Sequence, residues 1–259
     1  MKIWAAAALL TGLAAAARGQ TAADAVPGGR AAEESHRLGH STTLSGGAAQ
    51  TPDVSPYSVR GIDVSHYEGD ILWPRVAAAG TAFAYIKATE GGDYVDDMFA
   101  ANWSGAAAAG IARGAYHFYN FCRSGADQAA HFVKTVPRER GALPMVVDLE
   151  RSSDCAAMPT RAAFRKDLAD FVSAVESAYG VPPVLYVNGE IYDAYFSGDD
   201  PGLKLWIADP QHASPQIPGG AAWTFWQYSW HGAVAGISSQ TDLDAFSGDA
   251  AALAGLAAP

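Results

Sequence analysis

Leu143-Pro144-Met145-Val146-Val147-Asp148-Leu149-Glu150 is an apolar run that closes on two carboxylates one residue apart. In an extended strand alternate side chains share a face, so Asp148 and Glu150 point into one space and Val147 and Leu149 into the other. Gly141 before the run and Arg151-Ser152-Ser153-Asp154 after it mark a buried strand whose last turn reaches solvent. Like charges so placed raise the pKa of one carboxyl and leave the other low, the condition for acid catalysis by a carboxyl group. Read alone, the pair is first of all two solvated acids at a strand end, and its neighbours along the chain have to decide.

Those neighbours repeat one unit. Val59–Ser65, Ala82–Thr89, Ile111–Tyr119, the opening stretch and Val184–Asn188 read as five strands. Helical segments fall between them at about Pro74–Ala79, Val95–Ala109, Gly125–Val136 and Arg161–Tyr179, the last with Thr160 as N-cap and Gly180 as its stop. This alternation predicts parallel strands joined by right-handed crossovers. Beyond residue 190 the spacers shorten, and Leu203–Ala208, Ala222–Tyr228 and Thr241–Phe246 read as three further strands. The expected fold is α/β: an irregular TIM-like β/α barrel, about five β/α units followed by three β-strands. Its functional groups belong at the strands' carboxyl ends. The Ala-rich tail from Gly248 reads as a short helix or a frayed end.

Composition sets the boundaries. The 259 residues, 49% apolar and 17% charged, suit one large globular domain. A formal charge of −10 with no basic run excludes a nucleic-acid partner from the expectations. Lys2, the apolar stretch Ile3–Ala17 and the small residues Ala17 and Gly19 read as a signal peptide over residues 1–19, whose removal takes Lys2 and Arg18 and moves the charge from −10 to −12. Residues 20–58 lack an apolar period and read as a flexible lead or pro-segment; residues 59–259 form the barrel domain. A secreted, extracellular protein without membrane insertion follows. Cys122 and Cys155, an even pair in an exported chain, are expected to form one disulfide, with free buried thiols as the alternative. No Cys or His spacing builds a metal cage, so no metal is expected.

In this barrel Asp63 ends the first strand, Asp148 and Glu150 the fourth, and Asp242 lies on the eighth, so four acids converge at one mouth. Tyr67, Tyr116, Tyr119, Tyr186, Trp206, Trp226 and Tyr228 fall at or near strand ends, where flat faces stack on sugar rings; about half are expected to be core residues instead. Lys87 and Glu90 form a pair that either orients the cleft or only ties the structure.

The motifs GIDVSxY (Gly61–Tyr67), YIKATEG (Tyr85–Gly91), GAYHFY (Gly114–Tyr119), VVDLE (Val146–Glu150), LYVN (Leu185–Asn188), LWIA (Leu205–Ala208), WQY (Trp226–Tyr228) and DLDxF (Asp242–Phe246) together resemble glycoside hydrolase family 25, the Ch-type lysozymes or N-acetylmuramidases. The resemblance covers about residues 59–246. It implies cleavage of the β-1,4 bond between N-acetylmuramic acid and N-acetylglucosamine in peptidoglycan, without metal or cofactor; separately, a monomer is expected. It also implies roles: Glu150 as general acid and then base, Asp148 as nucleophile or as the group that steadies the substrate's own N-acetyl, and Asp63 and Asp242 completing the acidic ring. Tyr116, Tyr186, Trp206, Gln227 and Tyr228 would bind substrate. Two positions depart from the family pattern: Glu68 stands where Asn or Gln is usual, and Asp244 where Asn is frequent. A chitinase-like barrel remains an alternative, although its DxDxE signature would need an acid at Val146. A non-catalytic wall-binding barrel would have lost an acid, and all four are present.

Overall fold

The computed structural model describes residues 50–259. The expected signal peptide and the lead up to residue 49 lie outside the described residues. Eight strands close on one another: β1 (Arg60–Val64), β2 (Phe83–Glu90), β4 (Ala112–Phe118), β5 (Val146–Leu149), β6 (Val184–Asn188), β7 (Leu205–Ala208), β8 (Phe225–Gly232) and β9 (Thr241–Phe246). Pairing runs in sequence order from β4 to β9, and β1 joins β9 to β2. A two-residue strand, β3 (Tyr94–Val95), folds back on the end of β2. Helices α1 (Trp73–Ala78), α2 (Phe99–Ala108), α3 (Gly125–Thr135), α4 (Arg161–Tyr179) and α5 (Gly189–Phe196) follow five of the barrel strands, and α6 (Ala250–Ala254) ends the chain.

Every barrel pairing is parallel except the two made by β9, which runs against both β8 and β1. The cause is local: only residues 233–240 separate β8 from β9, and a parallel return needs a crossover of about a dozen residues or more. Reversal puts the first residues of β9 at the carboxyl ends of the other strands, with Asp242 directly opposite Asp63. The expected parallel series thus ends in one antiparallel strand, and that strand brings the fourth acid to the mouth.

Two other differences from the sequence reading have local causes. The helix expected from Val95 begins only at Phe99, because Tyr94 and Val95 pair with β2 and the Asp96 carboxylate takes up the Met98 N–H (2.9 Å) and the His66 N–H (3.1 Å). Helix α5, not delimited from sequence, is started by Asn188, whose side chain accepts the Ile191 N–H at 2.9 Å. Helix α4 forms as expected. Thr160 caps it, Gly180 ends it at φ 82°, and Phe164, Leu168, Phe171, Val175 and Tyr179 make its buried stripe.

The core has two layers separated by the strand pleat. Outward residues such as Ala84, Ile86, Val147, Leu185 and Ile207 pack under the helices. Inward residues fill the barrel, and they are unusually aromatic: Phe83, Tyr85, Tyr116, Tyr186, Trp206, Phe225 and Phe246. Tyr85 lies 4.8 Å from Trp206, and Phe225 lies 5.2 Å from both Phe83 and Phe246, measured between ring centroids. Such rings fit because glycines face them. A Cβ on Gly61 would come within 2.3 Å of the Phe83 ring, and one on Gly114 within 2.3 Å of Tyr85.

The chain before β1 also packs on the barrel. Gln50 and Asp53 donate backbone hydrogen bonds to Gln211 and Ala213 after β7, and Tyr57 meets Trp223 and Trp226 edge-on. No helix among the described residues is long and apolar enough to cross a membrane.

Because Phe83 is fully buried and ringed by other aromatics, Gly61→Ala is expected to lose about 1–3 kcal/mol in denaturant unfolding through overpacking. Unchanged stability would contradict this interior register.

Candidate active site

The strand pleat aims one side chain from each of several strands into a pocket at the carboxyl-terminal mouth, lined by Asp63 (β1), Tyr116 (β4), Asp148 (β5), Tyr186 (β6), Trp206 (β7) and Gln227 (β8). Glu150, the residue after β5, and Asp242, at the start of β9, stand beside it. The four acids expected at the mouth are thus brought together, and Asp63, Asp148 and Glu150 are each less than a tenth exposed.

Gln227 joins them. Its amide nitrogen donates to Asp63 Oδ2 at 2.9 Å and to Asp242 Oδ2 at 3.1 Å, so the carboxamide cross-links two carboxylates that would otherwise repel. Its carbonyl oxygen accepts Trp230 Nε1 at 2.9 Å and faces the Tyr186 hydroxyl at 2.8 Å. That hydroxyl also lies 2.8 Å from Glu150 Oε1. A phenol has one hydrogen, so Tyr186 cannot fully satisfy both oxygens while Glu150 is ionised. If Glu150 is protonated, it donates to the Tyr186 oxygen and Tyr186 donates to Gln227, and every contact is satisfied. The chain Glu150–Tyr186–Gln227 therefore accepts either protonation state of Glu150 by turning one hydroxyl.

Asp148 sits deeper. Burial raises its pKa well above the ordinary carboxylate range, and the Glu150 charge adds to the rise while Lys87 opposes it. One Asp148 oxygen, Oδ1, is buried without a hydrogen-bond partner in the protein. Lys87 points inward from β2, almost fully buried, with its ammonium 2.8 Å from Glu90 and 5.1 Å above the Phe118 ring. It is the cation that acts on Asp148, which makes the Lys87–Glu90 pair part of the site's electrostatics. The Asp148–Glu150 pair thus keeps a proton at a pH where free carboxyls have lost theirs.

The floor is aromatic. Trp206 is 2% exposed, wedged between Tyr85 and Tyr186, and its Nε1 donates to Asp244 at 3.0 Å, so it closes the pocket from below. Tyr116 lines the wall. Tyr228, expected among the substrate-binding residues, does not join them: it packs beside Trp226 and under the Arg60 guanidinium on the outer side of the barrel. Tyr119 and Trp226 are likewise core residues under the helices, while Tyr67 stacks on His66 beside the mouth. His117, within the GAYHFY motif, is fully buried facing the helices. Burial pushes its pKa down to about 3, and neutral imidazole bridges the Thr89 hydroxyl and the Gln128 carbonyl. Glu68 accepts the Ser65 N–H at 2.7 Å in a capping box, and burial raises its pKa to about 7.

The disulfide forms between Cys122 and Cys155 and ties the loop after β4 to the loop after β5, across the catalytic face. Among the described residues no cluster of His, Cys, Asp or Glu has the arrangement of a metal site. The Lys87–Glu90 pair expected from the sequence forms, and strand parity with Tyr85 turns Lys87 inward; Trp230, which holds the Gln227 carbonyl, is not singled out by the sequence, because its approach depends on a register shift in β8 after Gln227.

Paired carboxyls that hold one proton between them are the equipment for breaking an acetal, and at this face of a β/α barrel they define a glycoside hydrolase. Residues 62–237 match glycosyl hydrolases family 25, and the chain belongs to that family. It is 37% identical over 237 residues to "Lysozyme M1" of Streptomyces globisporus, spanning 85% of this chain and 80% of that protein. Among solved structures, a family 25 glycosyl hydrolase from Bacillus anthracis superposes with a TM-score of 0.74 at 33% identity, covering 82% of this chain and 99% of that one. The bacterial lysozyme from Streptomyces coelicolor gives 0.73 at 38% identity, covering 77% and 97%.

Tyr186→Phe removes the hydroxyl that adapts to Glu150. A hydrogen bond to a charged group contributes about 1.5–3 kcal/mol, so kcat should fall roughly ten- to a hundredfold, with the pH–rate profile displaced. A variant with an unchanged pH profile would contradict the linkage.

Proposed function

We propose that this protein is an exported muramidase that hydrolyses the β-1,4 bond between N-acetylmuramic acid and N-acetylglucosamine in bacterial peptidoglycan, with retention of configuration. The observation that carries the reading is the Asp148–Glu150 pair: one carboxyl poised on a hydrogen-bond chain, the other buried with a free acceptor oxygen.

In the proposed sequence the sugar spanning the scissile bond enters over Trp206 and Tyr116. Its acetamido N–H donates to Asp148 Oδ1, which favours ionised Asp148 and drives the pair's proton onto Glu150. Glu150 then protonates the leaving oxygen as the acetamido carbonyl attacks the anomeric carbon. The positive charge that develops on the resulting oxazolinium ring is balanced by Asp148. Tyr186 turns its hydroxyl to the newly ionised Glu150, which next takes a proton from water as the ring opens. Direct attack by Asp148 gives the same stereochemistry, but the acceptor aimed from below the pocket favours the assisted route. Asp63 and Asp242, held by Gln227, fix the pocket wall and hydrogen-bond sugar hydroxyls. Export is supported by the disulfide and by the signal peptide read in the sequence.

Glu150→Gln keeps the volume and the acceptor for Tyr186 but loses the proton, so lysis of purified peptidoglycan should drop by a factor of about 10² to 10⁴. Asp148→Asn should fall about 10²- to 10³-fold through lost charge at the transition state. Both variants should retain the wild-type circular dichroism. Near-normal turnover in Glu150→Gln, or release of chitin fragments in preference to muropeptides, would overturn the assignment.

A further inference from the structure

One group inside the barrel is left unexplained by the reaction. Asp244 lies on β9 two residues below Asp242, on the same inward face, with its Cα opposite Gly61 of β1 and Gln227 of β8. Its side chain is completely inaccessible to solvent. One oxygen, Oδ1, accepts Trp206 Nε1 at 3.0 Å, while the other, Oδ2, has no donor from the protein. What lies in hydrogen-bond contact with Asp244 is the carboxyl of Asp63. Two ionised carboxylates in contact inside an aromatic barrel would be strongly unfavourable.

Among the described residues, the groups that face Asp244 are Asp63 on β1, Asp242 on β9, Trp206 on β7 and the Tyr85 phenol on β2. Arg60, the cation of β1, bonds the Val54 carbonyl and lies over the Tyr228 ring on the outer side. Lys87 acts on Asp148 and pairs with Glu90.

We propose that Asp244 and Asp63 share one proton in a carboxyl–carboxylate hydrogen bond, and that Asp244 is a positioning residue that aims Asp63 into the cleft. The proton sits on Asp244 Oδ2 and is donated to Asp63. Asp63 remains ionised, with its Oδ2 taking the Gln227 amide. Three acids of the inner wall, Asp63, Asp242 and Asp244, then carry two negative charges rather than three, and the Gln227 amide bridges the two that stay ionised. Burial, with the Asp63 and Asp242 charges, pushes the Asp244 pKa in the direction this arrangement needs.

The claim about the proton does not depend on the peptidoglycan reading, because two of its tests need no substrate. The sign of the linkage is definite. A carboxyl whose folded-state pKa is raised makes the fold lose stability as pH climbs from the unfolded value, near 4, to the folded one. Asp244→Asn supplies a permanent N–H in place of the shared proton, so its Tm relative to wild type should become steadily more favourable from pH 4 to pH 8. The infrared C=O band of an un-ionised carboxylic acid, present in wild type at neutral pH, should lose one component in Asp244→Asn. With substrate, Asp244→Asn should keep kcat within a few fold, whereas Asp244→Leu, which has no donor, should lose roughly tenfold or more. Should Asp244→Leu fail to fold, the asparagine variant and the infrared band still decide. A Tm difference independent of pH, or identical carboxylic bands in the two proteins, would overturn the proposal. Loss of peptidoglycan activity in wild type would overturn the functional reading and leave this one intact.

Discussion

The structure depends on one constraint: four carboxylates must share the mouth of a barrel whose interior is aromatic. Coulomb repulsion at such separations is severe once water is removed. Among the described residues, the fold meets it with hydrogen-bond donors. Gln227 divides its amide between Asp63 and Asp242, Tyr186 answers to Glu150, Trp230 holds the Gln227 carbonyl, and Trp206 points its indole N–H at Asp244 below them. Lys87 is the cation that acts on Asp148, and Glu90 already holds its ammonium. Protonation adds to the donors, and the raised pKa of Asp148 is what the proposed mechanism draws on.

Topology delivers the acids. Parallel strands bring Asp63 and the Asp148–Glu150 pair to one face by the ordinary logic of a β/α barrel. Asp242 gets there by the opposite route, from the start of a strand that runs backwards. The aromatic interior then fixes depth: Trp206 seals the pocket from below, and glycines at positions 61 and 114 leave room for the rings that hold Trp206 in place.

Much of this was legible in the sequence because period-two alternation and strand-end acids are local signals. The five leading strands, the helix Arg161–Tyr179 and the meeting of Asp63, Asp148, Glu150 and Asp242 all followed from them. The direction of β9 was less accessible. A β8 that ends at Tyr228 leaves residues 229–240 as a spacer, which fits a return in either direction; the continuation of β8 to Gly232 shortens it to a hairpin. Tyr228 was misplaced for a related reason. It shares a motif with Gln227, but adjacent residues on a strand face opposite ways, and the motif does not say which one faces in. Asp244 acts through contacts between strands, and Trp230 reaches Gln227 within β8 where the register shifts, which the sequence pattern does not show.

The central claim is that Asp148 and Glu150 hold one proton between them beyond the ordinary carboxylate range. Titration of the protein carrying ¹³C-labelled Asp and Glu carboxyls, with Asp148→Asn and Glu150→Gln used for assignment, measures this directly. The account predicts that the pair loses its last proton well above the pH at which surface carboxyls lose theirs, and that each substitution brings the remaining partner down. If both carboxyls titrate with the surface acids, the pair is only two charges at a strand end, and the mechanism built on it is wrong.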